Sequence, residues 1–434
     1  MPELADKRIL LGITGGVAAY KAAVLLRELQ SRGARVQVVM TEAATHFVGT
    51  ATFQALSGQP VYTDAWDQRV DNGMAHIELS RAADLLLIVP ASADFMAKIA
   101  HGACDDLLST LVIASNRPCA MAPAMNREMW AHPATRRNVR ILSDDGVRLI
   151  GPDSGDQACG ETGEGRMMEP DQIAEVVTAM LTPQRLAGRR IVITAGPTYE
   201  PIDPVRGITN RSSGKMGFEL ARALSLAGAR VELIAGPCTL PTPVGVVRTN
   251  VDHARRMHEA VMAACRERPD AFVGVAAVAD WHVVNPSAQK IKKTGKDDVP
   301  TLSFAQNPDI LASVAALDNP PYCVGFAAES DDLLSNGQAK RERKNIPLLV
   351  ANIGPDTFGA DDNQLLIIDA NGHRQTPRLS KRELAAELAG EIADQLAAAR
   401  TANTSGTSGK TNTTRTAGTA RSTQRARPTR GKQT

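Results

Sequence analysis

The sequence predicts an α/β protein of two Rossmann-like domains, each on a parallel sheet, followed by a disordered basic tail. Three observations carry this. Short apolar runs alternate with helical stretches that end in glycine, the alternation begins afresh near residue 189, and from residue 401 the chain holds almost no apolar side chain. At 434 residues the chain exceeds one ordinary core, which also favours two domains. Aromatic residues make up only 3% of a chain that is 43% hydrophobic, a composition suited to helices stacked on parallel strands rather than to a β-sandwich.

In order along the chain, "RILLGI" (8 to 13) reads as a buried strand, "TGG" follows, and a helix is expected from about 17 to 31, ended by Gly33. "RVQVVM" then completes a βαβ unit. The second half repeats the plan with "RRIVIT" (189 to 194), a helix from about 215 to 227 ended by Gly228, and "RVELIA". "ADLLLIVPASAD" (83 to 94) and "DAFVGVAAVAD" (270 to 280) each give an apolar strand followed by small residues and an aspartate. Strands apolar on both faces belong to helix-covered parallel sheets, which bind ligands beyond the carboxyl ends of their strands. The linker falls near "LTPQRLAGR" (181 to 189), giving domains 1–182 and 189–400 and a tail 401–434.

Composition removes several function classes. The N-terminus lacks the basic start and apolar run of a signal peptide, and no apolar stretch approaches the roughly 18 residues of a membrane span, so a cytoplasmic protein is expected. The six cysteines form no CxxC pair and the eight histidines no HExxH, so neither a disulfide framework nor a protein-built metal site is signalled. The tail has seven Lys/Arg and no acid; removing them from the net +2 leaves the rest of the chain at −5, which argues against a specific nucleic-acid binder.

"GITGG" is neither G-x-G-x-x-G nor a P-loop, but glycines between a strand and a helix start serve either a tight turn or close approach to an anion. Thr41 and Ser92 add hydroxyls at strand carboxyl ends, enough for one phosphate, so a mononucleotide fits better than a dinucleotide. Taken singly, His76 in "NGMAHIELS" reads as a structural histidine, "PAMNREMW" (123 to 130) as a loop whose Asn caps a helix, and Cys159 in "QACGETGEGRM" (157 to 167) as a small, partly exposed residue.

Taken together and in this order, these motifs resemble the flavin-dependent cysteine decarboxylases, a flavodoxin-like flavoprotein family, from residue 8 to about 180. The resemblance implies FMN held by Gly15, Gly16, Thr41 and the Ser92 to Asp94 loop, with Asp94 standing where several members carry Asn. It implies His76 as a base-like residue beside the flavin, Asn126 as the holder of the substrate carboxylate, and Cys159 as a proton donor. The chemistry needs such an assembly. A cysteine C-terminal carboxylate lacks a group to stabilise its carbanion, whereas oxidation of the thiol to a thioaldehyde supplies an electron sink. The enethiol left by CO₂ must then be reduced, and a free thiol, with a pKa of about 8.5, carries a proton at neutral pH that it can give. Glycines on the flap would let it open and close.

In the second half, "AGPTYEPIDPVRGITNRSSG" (195 to 214) has no secondary-structure periodicity and ends where Asn, two Ser, two Gly and Lys gather at a helix start, a place suited to phosphate oxygens or to an ordinary cap. "QKIKK" (289 to 293) and "QAKRERKN" (338 to 345) read as solvated faces, although Lys340 and Lys344 are four apart and share one side of a helix. "NPDI" (307 to 310) and "VGFAAE" (324 to 329) read as turns after short strands.

From 189 to about 398 these segments resemble phosphopantothenate:cysteine ligases, and the fused order resembles the bifunctional enzymes of bacterial coenzyme A synthesis. The resemblance implies that 4'-phosphopantothenate attacks the α-phosphate of CTP to give an acyl-cytidylate, which cysteine then opens. Asp280, Lys290, Asn307, Pro308, Asp309, Ile310, Phe326, Lys340 and Lys344 would surround the nucleotide, with Lys290 stabilising the first transition state. Gln306 stands where members often carry Lys. Arg206 and Asn210 would serve the intermediate and its attack by cysteine, and Mg²⁺ is expected on the triphosphate. A homo-oligomer is implied as well: decarboxylase halves form trimers and ligase halves dimers. Two other function classes stay open, a non-catalytic FMN-binding regulatory subunit and an FMN oxidoreductase acting on another thiol.

Overall fold

A computed structural model describes residues 3–67, 69, 74–292, 300–329, 332–353 and 359–406. The first domain holds five parallel strands, side by side in the order Arg35–Met40, Arg8–Ile13, Leu85–Ala91, Cys119–Pro123 and Arg148–Leu149. Counted along the chain this is 2-1-3-4-5, the flavodoxin order, with its switch point between the strands that end at Ile13 and Ala91. Every residue of Leu85–Ala91 is buried, as a strand covered on both faces must be. Side-chain alternation divides the cover. Ile9, Leu11 and Ile13 pack with helices Ala19–Ser31 and Pro170–Leu181, while Leu10, Leu86 and Ile88 pack with helices Ala93–Ala100 and Leu107–Ile113. The first helix starts at Ala19, two residues inside the expected bound, and Gly33 beyond it takes φ 96°.

The second domain carries an eight-stranded sheet. Its first six strands in space, Val246–Asn250, Arg230–Ala235, Arg190–Ala195, Ala271–Gly274, Tyr322–Glu329 and Leu348–Ile353, are parallel; Leu366–Ile368 and His373–Gln375 continue it antiparallel. Counting only this sheet, the parallel part runs 3-2-1-4-5-6, so the two halves share local units but not strand order. Helices Lys215–Leu226 and Lys381–Gly406 cover one face; Ala254–Cys265, Ile310–Ala315 and Leu333–Arg343 cover the other. At the start of the first of these helices, a Cβ on Gly217 would lie 2.5 Å from Ala195 Cβ, so glycine sets how closely helix and strand pack.

Three expectations change. The stretch 195 to 214 is not structureless: Tyr199–Pro201 and Gly207–Thr209 form an antiparallel hairpin, whose three-residue strands are too short to leave a periodic signal. "VGFAAE" is not a turn but the body of the eight-residue strand Tyr322–Glu329, extended because it is paired on both sides. The last helix passes residue 400 and runs to Gly406, carried by the alanine-rich stretch before the expected tail; residues 407–434 lie outside the described residues. No helix among the described residues is long and apolar enough to cross a membrane.

The domains are tied by charge. Arg222, from the helix that begins at Lys215, reaches Glu3 at 2.6 Å and Glu175 at 2.7 Å, and Arg382 reaches the same carboxylates at 2.9 and 3.3 Å.

Two candidate active sites at the carboxyl ends of the sheets

In the first domain a cavity of about 710 Å³ opens at the switch point, lined by Gly15, Gly16, Ser92, Asn126, Cys159 and Arg166 among others. Local chemistry explains why these residues face it. Thr14 is buried, donates to Pro90 O at 2.7 Å and accepts from the Ser92 N–H at 3.0 Å, which binds the end of one strand to the end of its neighbour. A Cβ on Gly15 would lie 2.6 Å from Ala43 Cβ, while one on Gly16 would meet nothing within 4 Å, leaving bare backbone toward the cavity.

The flap is an antiparallel hairpin, Asp153–Asp156 with Thr162–Arg166, that holds Cys159 at its exposed tip. It is pinned to the 123 to 130 segment rather than hanging free. Met125 N–H donates to Gly165 O at 3.0 Å, Arg127 N–H to Gln157 Oε1 at 3.1 Å, and Trp130 Nε1 to Glu164 Oε2 at 3.2 Å. Gly165, at φ 120°, is pressed so close that a Cβ would stand 2.5 Å from Met125 O. Asn126 caps the helix Arg127–Ala131 through its side-chain oxygen, and its Nδ2 lies 3.5 Å from Cys159 Sγ. Lys21 and Arg166 share Glu169 at 2.8 and 2.6 Å, and Asp156 also lines this cavity, so the two cations are offset by two carboxylates; Lys21 first, with help from Arg166, holds the Glu169 carboxyl below its ordinary range against burial.

Three candidates of this half do not line the cavity. The Thr41 hydroxyl caps the next helix, accepting from Ala44 N–H at 3.3 Å. Asp94 is 80% exposed and turned toward Lys98 at 3.9 Å. His76 sits half-buried on the helix Ala75–Ala82 and is not among the lining residues.

The second domain has a cavity of about 490 Å³ at its own switch point, between Gly196 and Val275 to Val278. Asn210, Asp280, Phe326 and Lys340 of the candidates line it. Asn210 Nδ2 donates to Ala277 O at 2.8 Å, and Lys340 pairs with Glu329 at 3.5 Å. Ser212, Ser213, Gly214 and Lys215 complete one wall, as the clustering at that helix start anticipated. Asn352, Asn363 and Lys381 were not legible as site residues, since each lies more than a hundred residues from that wall in the sequence and only the sheet brings them round. Lys381 is buried, and burial first, then the nearby Lys215, pushes its ammonium below the ordinary lysine range.

The other candidates stand outside. Asn307 donates from Nδ2 to Ala279 O at 2.8 Å. Pro308 leads into Asp309, which caps helix Ile310–Ala315 and binds Lys344 at 3.0 Å. Burial pushes the Asp309 carboxyl up, but the Ala312 N–H and Lys344 together carry it below the ordinary range. Arg206 is held by the buried Asp203, and Lys290 is exposed on the segment that follows the strand Trp281–Val283. Among the described residues no group of three or more His, Cys, Asp or Glu comes together to hold a metal ion.

Known proteins match about nine-tenths of this chain. Residues 2–182 match the family described as Flavoprotein, and residues 186–396 the DNA/pantothenate metabolism flavoprotein C-terminal domain. The coenzyme A biosynthesis bifunctional protein CoaBC of Vibrio vulnificus (strain CMCP6) is 47% identical over 90% of this chain and 98% of its own length. Its counterpart in Escherichia coli (strain K12) is 45% identical over 89% and 96%, and that of Bacillus subtilis (strain 168) 42% identical over 90% and 97%. With two sheets, two cavities and relatives matched nearly end to end, the chain belongs to the CoaBC family, bifunctional enzymes of coenzyme A biosynthesis with a decarboxylase half and a ligase half.

Proposed function

We propose that the two cavities divide the reaction by residue as follows. The second activates 4'-phosphopantothenate with CTP and joins it to cysteine, and the first decarboxylates the resulting 4'-phosphopantothenoylcysteine to 4'-phosphopantetheine. The observation that carries this reading is the meeting of Asn126 and Cys159, 3.5 Å apart, on the wall of a cavity that also exposes bare glycine backbone.

The first cavity suits FMN. Its volume is that of a cofactor site, Gly16 leaves backbone open for a phosphate, Ser92 stands at the opposite strand end, and Lys21 and Arg166 are cations of the lining. When bound there, the flavin would supply the two-electron oxidation that makes the substrate's carboxylate labile. Asn126 holds that carboxylate through its amide, and Cys159, on the flap tip, gives a proton to the product carbon.

In the second cavity Asn210, Ser212, Ser213 and Lys215 gather around the nucleotide phosphates, Lys340 and Phe326 around the remainder of the nucleotide, and Asp280 on the rim. Mg²⁺ would enter on the triphosphate, where Asp280 and Glu329 are the acidic side chains of the lining. Arg206 and Lys290 lie outside this cavity on an arm that also exposes Val205, Trp281 and Phe304, a surface suited to a second copy of the chain; a homo-oligomer is the partner this reading takes.

The test supplies the purified chain with 4'-phosphopantothenate, cysteine, Mg²⁺ and either CTP or ATP, and follows pyrophosphate and CO₂. Release of both with CTP supports the reading. Pyrophosphate without CO₂ would remove the role given to the first cavity, and CO₂ from added 4'-phosphopantothenoylcysteine without pyrophosphate would remove that given to the second.

A further inference from the structure

We propose that Glu161 is a built-in occupant of the place on Asn126 that the substrate carboxylate takes, and that substrate binding is an exchange of one carboxylate for another. This rests on the reading that Asn126 holds that carboxylate. Asn126 Oδ1 is committed to the Glu128 N–H at 2.8 Å, which fixes the amide so that Nδ2 faces the flap tip. There Nδ2 lies 2.5 Å from Glu161 Oε2 and 3.5 Å from Cys159 Sγ. A primary amide has two N–H donors, and both are taken. The contact to the thiol sulfur is long and weak, whereas the one to Glu161 is short and charge-assisted, so an arriving carboxylate takes the well-placed donor only when Glu161 leaves.

The structure also holds a place for Glu161 to go. Arg127 Nε, which donates to Glu128 Oε1 at 3.1 Å, stands 3.8 Å from Glu161 Oε2, and all three side chains are substantially exposed, so a small rotation exchanges the amide for a guanidinium shared by the two glutamates. The intervening tip can follow, because Gly160 has φ 83° and open space around its Cα. Glu161 Oε2 is moreover 3.7 Å from Cys159 Sγ, so its departure uncovers the thiol as the substrate arrives. The exchange selects for ligands that bring their own carboxylate, since a ligand without one cannot repay the lost charge-assisted hydrogen bond.

The test measures decarboxylation kinetics of the full-length holoenzyme with 4'-phosphopantothenoylcysteine, together with equilibrium binding of the carboxylate-free product 4'-phosphopantetheine. Glu161→Ala is expected to lower KM about tenfold, as removal of one competing charge-assisted bond should. Glu161→Gln, which keeps a neutral hydrogen bond, is expected to lower it less, and product affinity should stay unchanged in both. In an Asn126→Ala background, Glu161→Ala should leave KM where it is. Retention of bound FMN reports that the first domain of each variant is folded. An unchanged or raised KM in Glu161→Ala, with Asn126→Ala raising KM, overturns the proposal and makes Glu161 a clasp on the flap. If Asn126→Ala itself leaves KM unaltered, the underlying assignment of Asn126 fails instead.

Discussion

Arg206 and Asp203 form a closed pair that also captures a distant segment. Arg206 Nε and Nη2 donate to Asp203 Oδ2 at 3.0 and 2.5 Å, the Ile291 N–H donates to the same oxygen at 3.2 Å, and Arg206 Nη2 reaches Ile291 O at 3.0 Å. The Arg206 hydrogen bond first, with the Val205, Arg206 and Ile291 amides, holds the Asp203 carboxyl well below the usual carboxylate range. The turn that bears Arg206 and the segment that bears Lys290 therefore move as one. Asp203→Asn should lower ligation by tenfold to a hundredfold, roughly the cost of misplacing groups that must meet in a transition state, and leave CO₂ release from 4'-phosphopantothenoylcysteine unaltered. Pyrophosphate and CO₂ assays on the same preparation check this.

Cys159→Ser removes the thiol while leaving Asn126 tied to Glu161 and Glu128. A serine hydroxyl is a far weaker acid than a thiol, so the late protonation should fail while the earlier loss of CO₂ proceeds. Mass spectrometry should find the oxidised enethiol in place of 4'-phosphopantetheine; normal product from this variant would end the proton-donor role.

Lys340 lines the second cavity in partnership with Glu329 at 3.5 Å. Lys340→Ala removes a cation and leaves an uncompensated carboxylate facing the phosphates. The KM for CTP should rise by at least about tenfold, with a steeper salt dependence in the parent than in the variant.

Glu3 joins the two domains, and its side chain is 16% exposed. Burial pushes its carboxyl up, but Arg222 and Arg382 outweigh burial and bring it down to about 2 from 4.5. A folded-state value below the unfolded one stabilises above pH 4.5 and is lost as pH falls toward 2. The stabilisation is on the order of 3 kcal/mol at neutral pH. In Glu3→Gln, domain docking should be weaker at pH 7, and the difference from the parent should vanish near pH 2. Proteolysis in the linker between residues 181 and 189, followed against pH, measures it.

Much of this was open to reading because it is local. Apolar runs such as "RILLGI" and "RVELIA", and helical stretches stopped by glycines that take positive φ at Gly33 and Gly228, carry their own strand and helix signals. The motif at 210 to 217 likewise reads as a phosphate site or a capped helix, since hydroxyls, glycines and a lysine at a helix start need no distant partner, and in the fold it forms one wall of the second cavity. The antiparallel hairpin at 199 to 209 escaped because strands of three residues leave no period.

What the amino-acid order determined by itself is therefore the set of βαβ units, their division near residue 185, and the presence of Asn126, Cys159, Asn210 and Lys340 in segments fit for chemistry. Tertiary structure decided which of these meet. Strand order 2-1-3-4-5 in one half and 3-2-1-4-5-6 in the other chose the crevices, so Gly16 faces Cys159 while Thr41 is spent on a cap, and Lys381 joins Asn210 while Lys344 is drawn off to Asp309. The physical reason is that periodicity reports burial over one element, whereas a site requires pairing between strands far apart in the chain. That pairing depends on which faces can be covered together rather than on any one segment.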